Sequence, residues 1–380
     1  MKAIPAGAGS TFLRPTWAAV DLARVRRNFL RMTSAVGRDC RILFVVKANA
    51  YGHGAVPLAL QAQEKKLCWG FGVSSVEEAA GLYEAGVNLP ILILGSLYPF
   101  ESFVNAIENG FHITISSVEA AVQVAEAALR LGKKAHCHVK LETGMGRIGV
   151  RRPGALKVLQ DLSQSAGTVI SGLYTHLSST DCDPEFTRLQ LRCFRETVED
   201  CLKTGINPGI KHAANSFAAI HYPESRWDMV RPGLAVYGLM DGFEPAFSFK
   251  SRIVFIKNIR AGVSVGYGRS FRSRKPMKVA TLPVGYADGY SRRLSNCGEV
   301  LVRGFRCRVL GTVTMDMTMV DVTHVAGAAV GDEAVLIGAQ GNDEITVQDM
   351  SALSDTIVYD TICSVSSRVP RIYTDDNSGI

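Results

Sequence analysis

Through the first two-thirds of the chain, short apolar runs rich in β-branched and aromatic residues alternate with longer segments of helical periodicity. The runs are RILFVV (41–46), WGFGV (69–73), PILIL (90–94), FHITI (111–115), AHCHVKL (135–141), TVISGLYT (168–175), GIKHA (209–213) and WDMVR (227–231). Each has the length of a buried strand. The segments between them carry helix signals. Ser75 stands before Glu77, Glu78, Ala79 and Ala80. Ser117 stands before EAAVQVAEAALRLG, whose apolar positions recur at helical spacing and which stops at Gly132. Strands each followed by a helix, spaced about 20 to 40 residues apart, predict a (β/α)8 barrel.

After about residue 245 the long helical patterns vanish. RIVFIKNI, KVATLPVGY, GEVLVRG, RVLGTVTMDMTMVDVT and DEAVLIGA replace them, separated by Gly-rich turns. The fold class expected is α/β: an N-terminal (β/α)8 TIM-like barrel over 15–245, then a mostly β domain over 246–380. Residues 1–14 are expected to pack on the second domain. From about 346 a short helix and a closing strand are expected.

A length of 380 residues suits two domains, and 47% hydrophobic content suffices for large cores. No apolar run approaches a membrane span, and the start, MKAIPAGAGSTFLRPTW, lacks the apolar stretch of a secretory signal. The nine cysteines form no CxxC pair, so reduced thiols in a cytoplasmic protein are expected. The net charge of +7 is densest from Arg269 to Lys278. No nucleic-acid-binding signature accompanies that stretch, so neither nucleic acid nor membrane is an expected partner. A positive interior serving an anionic small molecule fits the charge as well.

In such barrels chemistry sits at the C-terminal ends of the strands. Lys47 follows RILFVV, His176 follows TVISGLYT, Arg147 lies just past AHCHVKL, and Arg231 ends the eighth run. A lysine beside a strand is usually a snorkelling surface residue. Here small residues and glycines follow it, in VVKANAYGHG, which suits a loop bending around a ligand. Burial at a barrel mouth lowers a lysine's pKa and frees its amine to attack a carbonyl.

VVKANAYGHG, LETGMGRIG, HAANS, VRPGLAVYG, VGYGRSF, LPVGYADGY and VTMDMTMVDV occur in this order. Together they resemble the alanine racemase family of pyridoxal phosphate enzymes, from about Trp17 to Arg371. The resemblance implies a barrel followed by a β domain, and a racemase interconverting L- and D-alanine to supply peptidoglycan synthesis. It implies that Lys47 holds pyridoxal 5'-phosphate as a Schiff base and then acts as one catalytic base. Tyr267 is the implied second base, working on the opposite face. An ordinary phenol, with a pKa near about 10, must be tuned for that task, and His176 with Arg231 is the implied tuning network. Arg231 is also implied to face the cofactor's ring nitrogen. An arginine gives up no proton there, so the ring stays neutral and transamination is suppressed. The implied phosphate site is Tyr51, Ser216 and the backbone at Gly233 and Leu234. Arg147 is implied to bind the substrate carboxylate, braced by Lys140 where that lysine is carbamylated. Tyr286, Met315 and Asp316 are implied to enter the site, with Tyr267, from the other subunit of a homodimer.

Two motifs point elsewhere. Gly144-Met145-Gly146-Arg147-Ile148-Gly149 satisfies GxGxxG, yet no strand ending in an acid follows about 20 residues on. His136 and His138 share one strand face without an evident third metal ligand, so they are expected to be structural and no metal is expected. The sequence also departs from the family pattern. Ser367 stands before RVPR where a tyrosine is expected, and Thr312 and Thr314 replace the Arg and Cys of a common form of that motif. A wider pocket and a broader racemase, taking serine or basic amino acids, is therefore the alternative. A non-catalytic pyridoxal phosphate carrier is a further one, though carriers resemble the barrel alone. Related decarboxylases carry Gly-Gly-Gly and EPGR-like motifs, which do not occur here.

Overall fold

The computed structural model describes residues 13–375. Its strands begin with β1 (Thr16–Asp21), β2 (Arg41–Val45), β3 (Gly70–Val73), β4 (Ile91–Ile93), β5 (His112–Ile115), β6 (Ala135–Lys140), β7 (Thr168–Tyr174), β8 (Ile210–His212) and β9 (Met229–Val230). All eight apolar runs became strands, β2 to β9, in one parallel sheet ordered β8-β7-β6-β5-β4-β3-β2-β9. The seam between β8 and β9 closes through isolated bonds, Asp228 N to Lys211 O at 3.0 Å and Arg231 N to Ala214 O at 3.0 Å. This is the expected barrel.

The helix signals worked as capping chemistry predicts. Ser75 and Ser117 accept from the backbone N–H groups of Glu78 and Ala120, and Gly132 closes its helix at a φ of 61°. In β2 the side chains alternate. Phe44 packs outward, edge-on to Phe29 of the helix Leu22–Val36 with ring centroids 4.8 Å apart. Leu43 points inward with Leu92 and Met229. Phe29 and Phe44 are fully buried, and truncating either to alanine would cost about 3–5 kcal/mol.

One expectation changes. The eighth strand, β9, is not followed by a barrel helix. The helix Leu22–Val36, which precedes β2, packs between the helices Ala55–Glu64 and Ser216–His221 and fills that slot.

The second domain contains β10 (Phe247–Arg252), β11 (Phe255–Ile259), β12 (Ser264–Val265), β13 (Phe271–Arg272), β14 (Met277–Leu282), β15 (Glu299–Val302), β16 (Phe305–Arg308), β17 (Thr318–Asp321), β18 (Glu333–Gln340), β19 (Asp343–Ile345) and β20 (Arg371–Thr374). Its main sheet runs β16-β15-β18-β10-β1-β20, with β19 on β18; β11-β14-β17 form a smaller one. Thus β1, inside the range 15–245 read as barrel, is a strand of the other sheet, antiparallel to β10 and parallel to β20. Its burial alternates strictly, as a strand with one face on a core requires. Residues 1–12 lie outside the described residues. Arg14 is described, and its guanidinium meets the buried carboxylate of Asp288 in the second domain, with Nη2 to Oδ2 at 2.7 Å. The helices Val347–Leu353 and Val358–Cys363 and then β20 close the chain.

The two domains share one continuous hydrophobic core. They meet at the C-terminal rim of the barrel. A Cβ on Gly52 would lie 2.6 Å from Ile362 O, and one on Gly54 would lie 1.8 Å from the Tyr373 hydroxyl. The glycines of AYGHG are therefore required by the second domain's close approach. Among the described residues, no helix is long and apolar enough to cross a membrane.

Candidate active site

At that rim lies a cavity of about 600 Å³. Its lining includes Lys47, Tyr51, Lys140, Arg147, His176, Ser216, Arg231, Gly233 and Leu234, the barrel residues singled out from sequence. Four of these carry cationic groups: Lys47, Lys140, Arg147 and Arg231. Among the described residues, no Asp or Glu lines it.

Lys47 leaves the end of β2 and starts an unusual turn. Ala48, Asn49, Ala50 and Tyr51 all have φ between 51° and 55°, one turn of left-handed helix in L-residues. Such geometry costs roughly 1–2 kcal/mol per residue. Bonds from Ala50 N to Val46 O (2.8 Å), Gly52 N to Ala48 O (3.0 Å) and Gly54 N to Asn49 O (2.9 Å) offset it. From the second domain, the Arg371 side chain donates to Gly52 O and the Tyr373 hydroxyl donates to His53 O. Burial, followed by the charge of Arg147, pulls the Lys47 pKa below its ordinary value.

Lys140 is only 2% exposed. Burial, then the charges of Arg147 and Arg231, lower its pKa to about 8. Burial and the same two arginines hold His176 well below the usual imidazole range. The GxGxxG loop gains a plain role. The N–H of Gly146 donates to Glu142 Oε2 at 2.9 Å, and that of Gly144 also donates to the Glu142 carboxylate. Those glycines wrap an internal carboxylate, and the loop carries Arg147 to the cavity.

Arg231, buried at 4% exposure, spends three N–H groups on protein acceptors: Thr175 O (2.7 Å), Ala213 O (2.9 Å) and His212 Nδ1 (3.0 Å). Among the described residues its hydrogen-bond partners thus do not include His176, the residue expected to share its network. The bonds run the other way, into the barrel. His212 Nε2 meets His138 Nδ1 at 3.1 Å, and His138 Nε2 meets His112 Nδ1 at 3.0 Å. An arginine can only donate, so His212 Nδ1 must accept. Each ring in turn then carries its proton on Nε2. His136 stacks on His112 with centroids 4.8 Å apart, and Tyr174 stacks on His212 at 4.7 Å. His136 Nδ1 lies 3.1 Å from Ser171 Oγ, and no metal-holding group of His, Cys, Asp and Glu occurs among the described residues.

Ser216 starts the helix Ser216–His221, capped by Asn215. Its Oγ accepts from Gly233 N (3.1 Å) and Ala235 N (3.2 Å), leaving its own proton to donate. A Cβ on Gly233 would stand 3.0 Å from the Tyr51 hydroxyl, so glycine there keeps a cradle open.

Sequence reasoning missed Tyr359 and Cys363, which line the cavity from the helix Val358–Cys363, four residues apart on one face. Tyr359 packs edge-on to Tyr51, centroids 5.6 Å apart. Ser367 is not a lining residue. A tyrosine does reach the cavity from that helix, Tyr359, eight residues before Ser367. No sequence signal marked Tyr359 and Cys363, because a helix of six residues is too short to show its periodicity.

Tyr267, Tyr286, Met315 and Asp316 do not line the cavity of their own chain. They cluster on neighbouring loops. Thr312 Oγ1 donates to Tyr267 O at 3.1 Å, and Tyr286 N donates to Thr314 O at 3.0 Å. Thr314 Oγ1 also pins Met317 N, at 3.1 Å. The two threonines thus shape these loops. Asp316 pairs with Arg368 at 2.7 Å.

Two family models match this chain: the alanine racemase N-terminal domain over residues 20–241 and the alanine racemase C-terminal domain over 246–373. The alanine racemase of Symbiobacterium thermophilum is 42% identical over 371 residues, covering 95% of this chain and 97% of the relative. Alanine racemase 2 of Caldanaerobacter subterraneus is 40% identical, covering 95% of each. Among solved structures, alanine racemase from Clostridium difficile superposes with a TM-score of 0.91 at 33% identity, covering 97% of both chains. The Bacillus anthracis enzyme with bound L-Ala-P does so at 0.90 and 32%, again covering 97% of both. On fold, length and sequence together, the chain belongs to the alanine racemase family of isomerases.

Proposed function

We propose that the protein interconverts L- and D-alanine with pyridoxal 5'-phosphate, using Lys47 on one face of the substrate and Tyr267 of the partner subunit on the other. One observation carries this reading. A lysine whose pKa burial depresses stands in a cavity lined by four cations and, among the described residues, no carboxylate. The cofactor is an aldehyde bearing a phosphate, and the substrate bears a carboxylate. An amine and an acid-free basic cavity suit both.

The residues present fit the cofactor. Ser216 Oγ, the Tyr51 hydroxyl and the backbone at Gly233 and Leu234 would hold the phosphate around the cradle that glycine keeps open. Arg231 has five N–H groups and commits three, so two remain for the ring nitrogen. Bound there, the cofactor supplies an electron sink that acidifies the substrate's α-hydrogen. Lys47 Nζ takes or returns that proton on one side, and its depressed pKa keeps more of it in the basic form near neutrality. Arg147 would orient the substrate carboxylate with a planar pair of donors. Lys140, with a pKa near 8, has neutral amine available to take up carbon dioxide, and the resulting carboxylate would brace Arg147.

Support for a homodimer comes from the second domain's surface. Tyr267 is 74% exposed, and Met315, Met317 and Tyr286 are 52%, 48% and 43% exposed on adjoining loops. Large apolar groups clustered this way suit a buried contact. All nine cysteines are free thiols, which suits the cytoplasm, where D-alanine would enter peptidoglycan synthesis. The test is incubation of the purified protein and pyridoxal phosphate with L-alanine, followed by chiral analysis. Formation of D-alanine is expected, and its absence would sink the proposal. Serine, lysine and arginine in the same assay measure breadth.

A further inference from the structure

The left-handed turn that carries Lys47 has an outside support. Ala48 N, the first amide after the lysine, finds no acceptor within the turn. It donates to Glu78 Oε1 at 2.7 Å. The other oxygen, Oε2, accepts from Ser74 N at 2.7 Å and from Ser74 Oγ at 2.8 Å. Ser74 directly follows β3, as Val46 and Lys47 follow β2. One half-buried carboxylate therefore ties two adjacent rim loops together. Its own position is fixed because Glu78 lies in the first turn of the helix Val76–Glu84, whose cap Ser75 accepts from Glu78 N. The neighbouring Glu77 is exposed and makes no such bridge.

We propose that Glu78 is a positioning residue for Lys47: its carboxylate clamps the loops after β2 and β3, holding the left-handed turn and aiming the amine into the cavity. This rests on the reading of Lys47 as the reactive amine. The clamp needs two acceptor oxygens, because three donors converge from two loops. Glutamine keeps one oxygen and can hold one loop but not both. Alanine holds neither. The charge matters as well as the shape. The Glu78 carboxylate raises the Lys47 pKa against the lowering by burial and by Arg147. Titratable and charged groups facing the amine are Arg147, Glu78, Cys363, Lys140 and His176.

The experiment uses the full chain as wild type, Glu78→Gln, Glu78→Ala and Glu77→Gln. Lys47 is labelled by reductive methylation with formaldehyde and cyanoborohydride from pH 6 to pH 11, after bound aldehyde is removed, and quantified by peptide mass. Capture of pyridoxal phosphate is followed separately by absorbance, and melting temperature is recorded for each variant. In Glu78→Gln, loss of the charge should lower the labelling midpoint relative to wild type and to Glu77→Gln. In Glu78→Ala, loss of the clamp should slow pyridoxal phosphate capture on the order of tenfold or more. Glu77→Gln should match wild type in both. Unmoved labelling midpoints in both Glu78 variants would overturn the proposal, even with a lowered melting temperature, because that pattern describes a merely structural residue. If wild-type Lys47 captures no pyridoxal phosphate, the functional reading of Lys47 fails, while the labelling profiles still report whether Glu78 governs its amine.

Discussion

At the scale of single residues, the cavity gathers four cations, with Lys140 and Arg231 buried and, among the described residues, no lining acid. Lys140 shows the consequence most directly. Burial, Arg147 and Arg231 bring its pKa to about 8, so near pH 8 about half of it is neutral amine. Only the neutral form adds carbon dioxide, and the product carboxylate would relieve a crowd of positive charge. Wild-type protein in 13C-bicarbonate should therefore show a carbamate carbon signal that strengthens from pH 7 to pH 8.5. Lys140→Ala should lack it, with KM for alanine raised more than kcat is lowered, because Arg147 loses its brace. A signal equal in Lys140→Ala would assign it elsewhere. The lining cations were legible in the sequence, since each follows a barrel strand. Tyr359 and Cys363 were not. They belong to a six-residue helix too short to declare its periodicity, and only its docking onto the Lys47 loop gives them a role.

At the scale of elements, four strands cooperate in the histidine chain. β5, β6 and β8 contribute His112, His138 and His212, and the residue after β9 is Arg231. Strand alternation points these side chains into the barrel, which the runs FHITI, AHCHVKL and GIKHA already implied. The register that joins them was not legible, because it depends on the barrel's stagger. His138→Leu removes the acceptor of the His212 N–H and leaves it buried and unpaired, a loss of about 1–3 kcal/mol in urea unfolding. His138→Gln should recover part of it. Burial also holds His138 and His212 well below the ordinary value of 6.5 and takes His53 down to about 4. These groups are neutral in the fold and protonate more readily when unfolded. Their contribution is complete above pH 6.5 and is lost as pH falls below it, so the melting temperature should drop steadily from pH 6.5 towards pH 5. A flat profile there would contradict neutral buried imidazoles.

At the scale of the whole molecule, the division of labour lies between the domains. The barrel strands were readable as eight separate runs because each is continuous and apolar. The second domain was readable only as a texture: β10 was not among the runs read as strands, and β1 was absorbed into the barrel because its partner β20 is about 350 residues away. The barrel holds Lys47 in the cavity, whereas Tyr267 lies exposed on the second domain of the same chain. If each site draws its tyrosine from the other subunit, two inactive chains can repair one another. Lys47→Ala lacks the amine but keeps Tyr267; Tyr267→Phe lacks the phenol but keeps Lys47. Unfolded together in equal amounts and reassembled, half of the dimers are mixed. In each mixed dimer one site pairs the intact Lys47 with the intact Tyr267, and the other site has neither. Activity should then return to about a quarter of wild type per site, from two preparations that are each inactive alone. If both bases came from one chain, no combination would contain a complete site, and the mixture would stay as inactive as its parts.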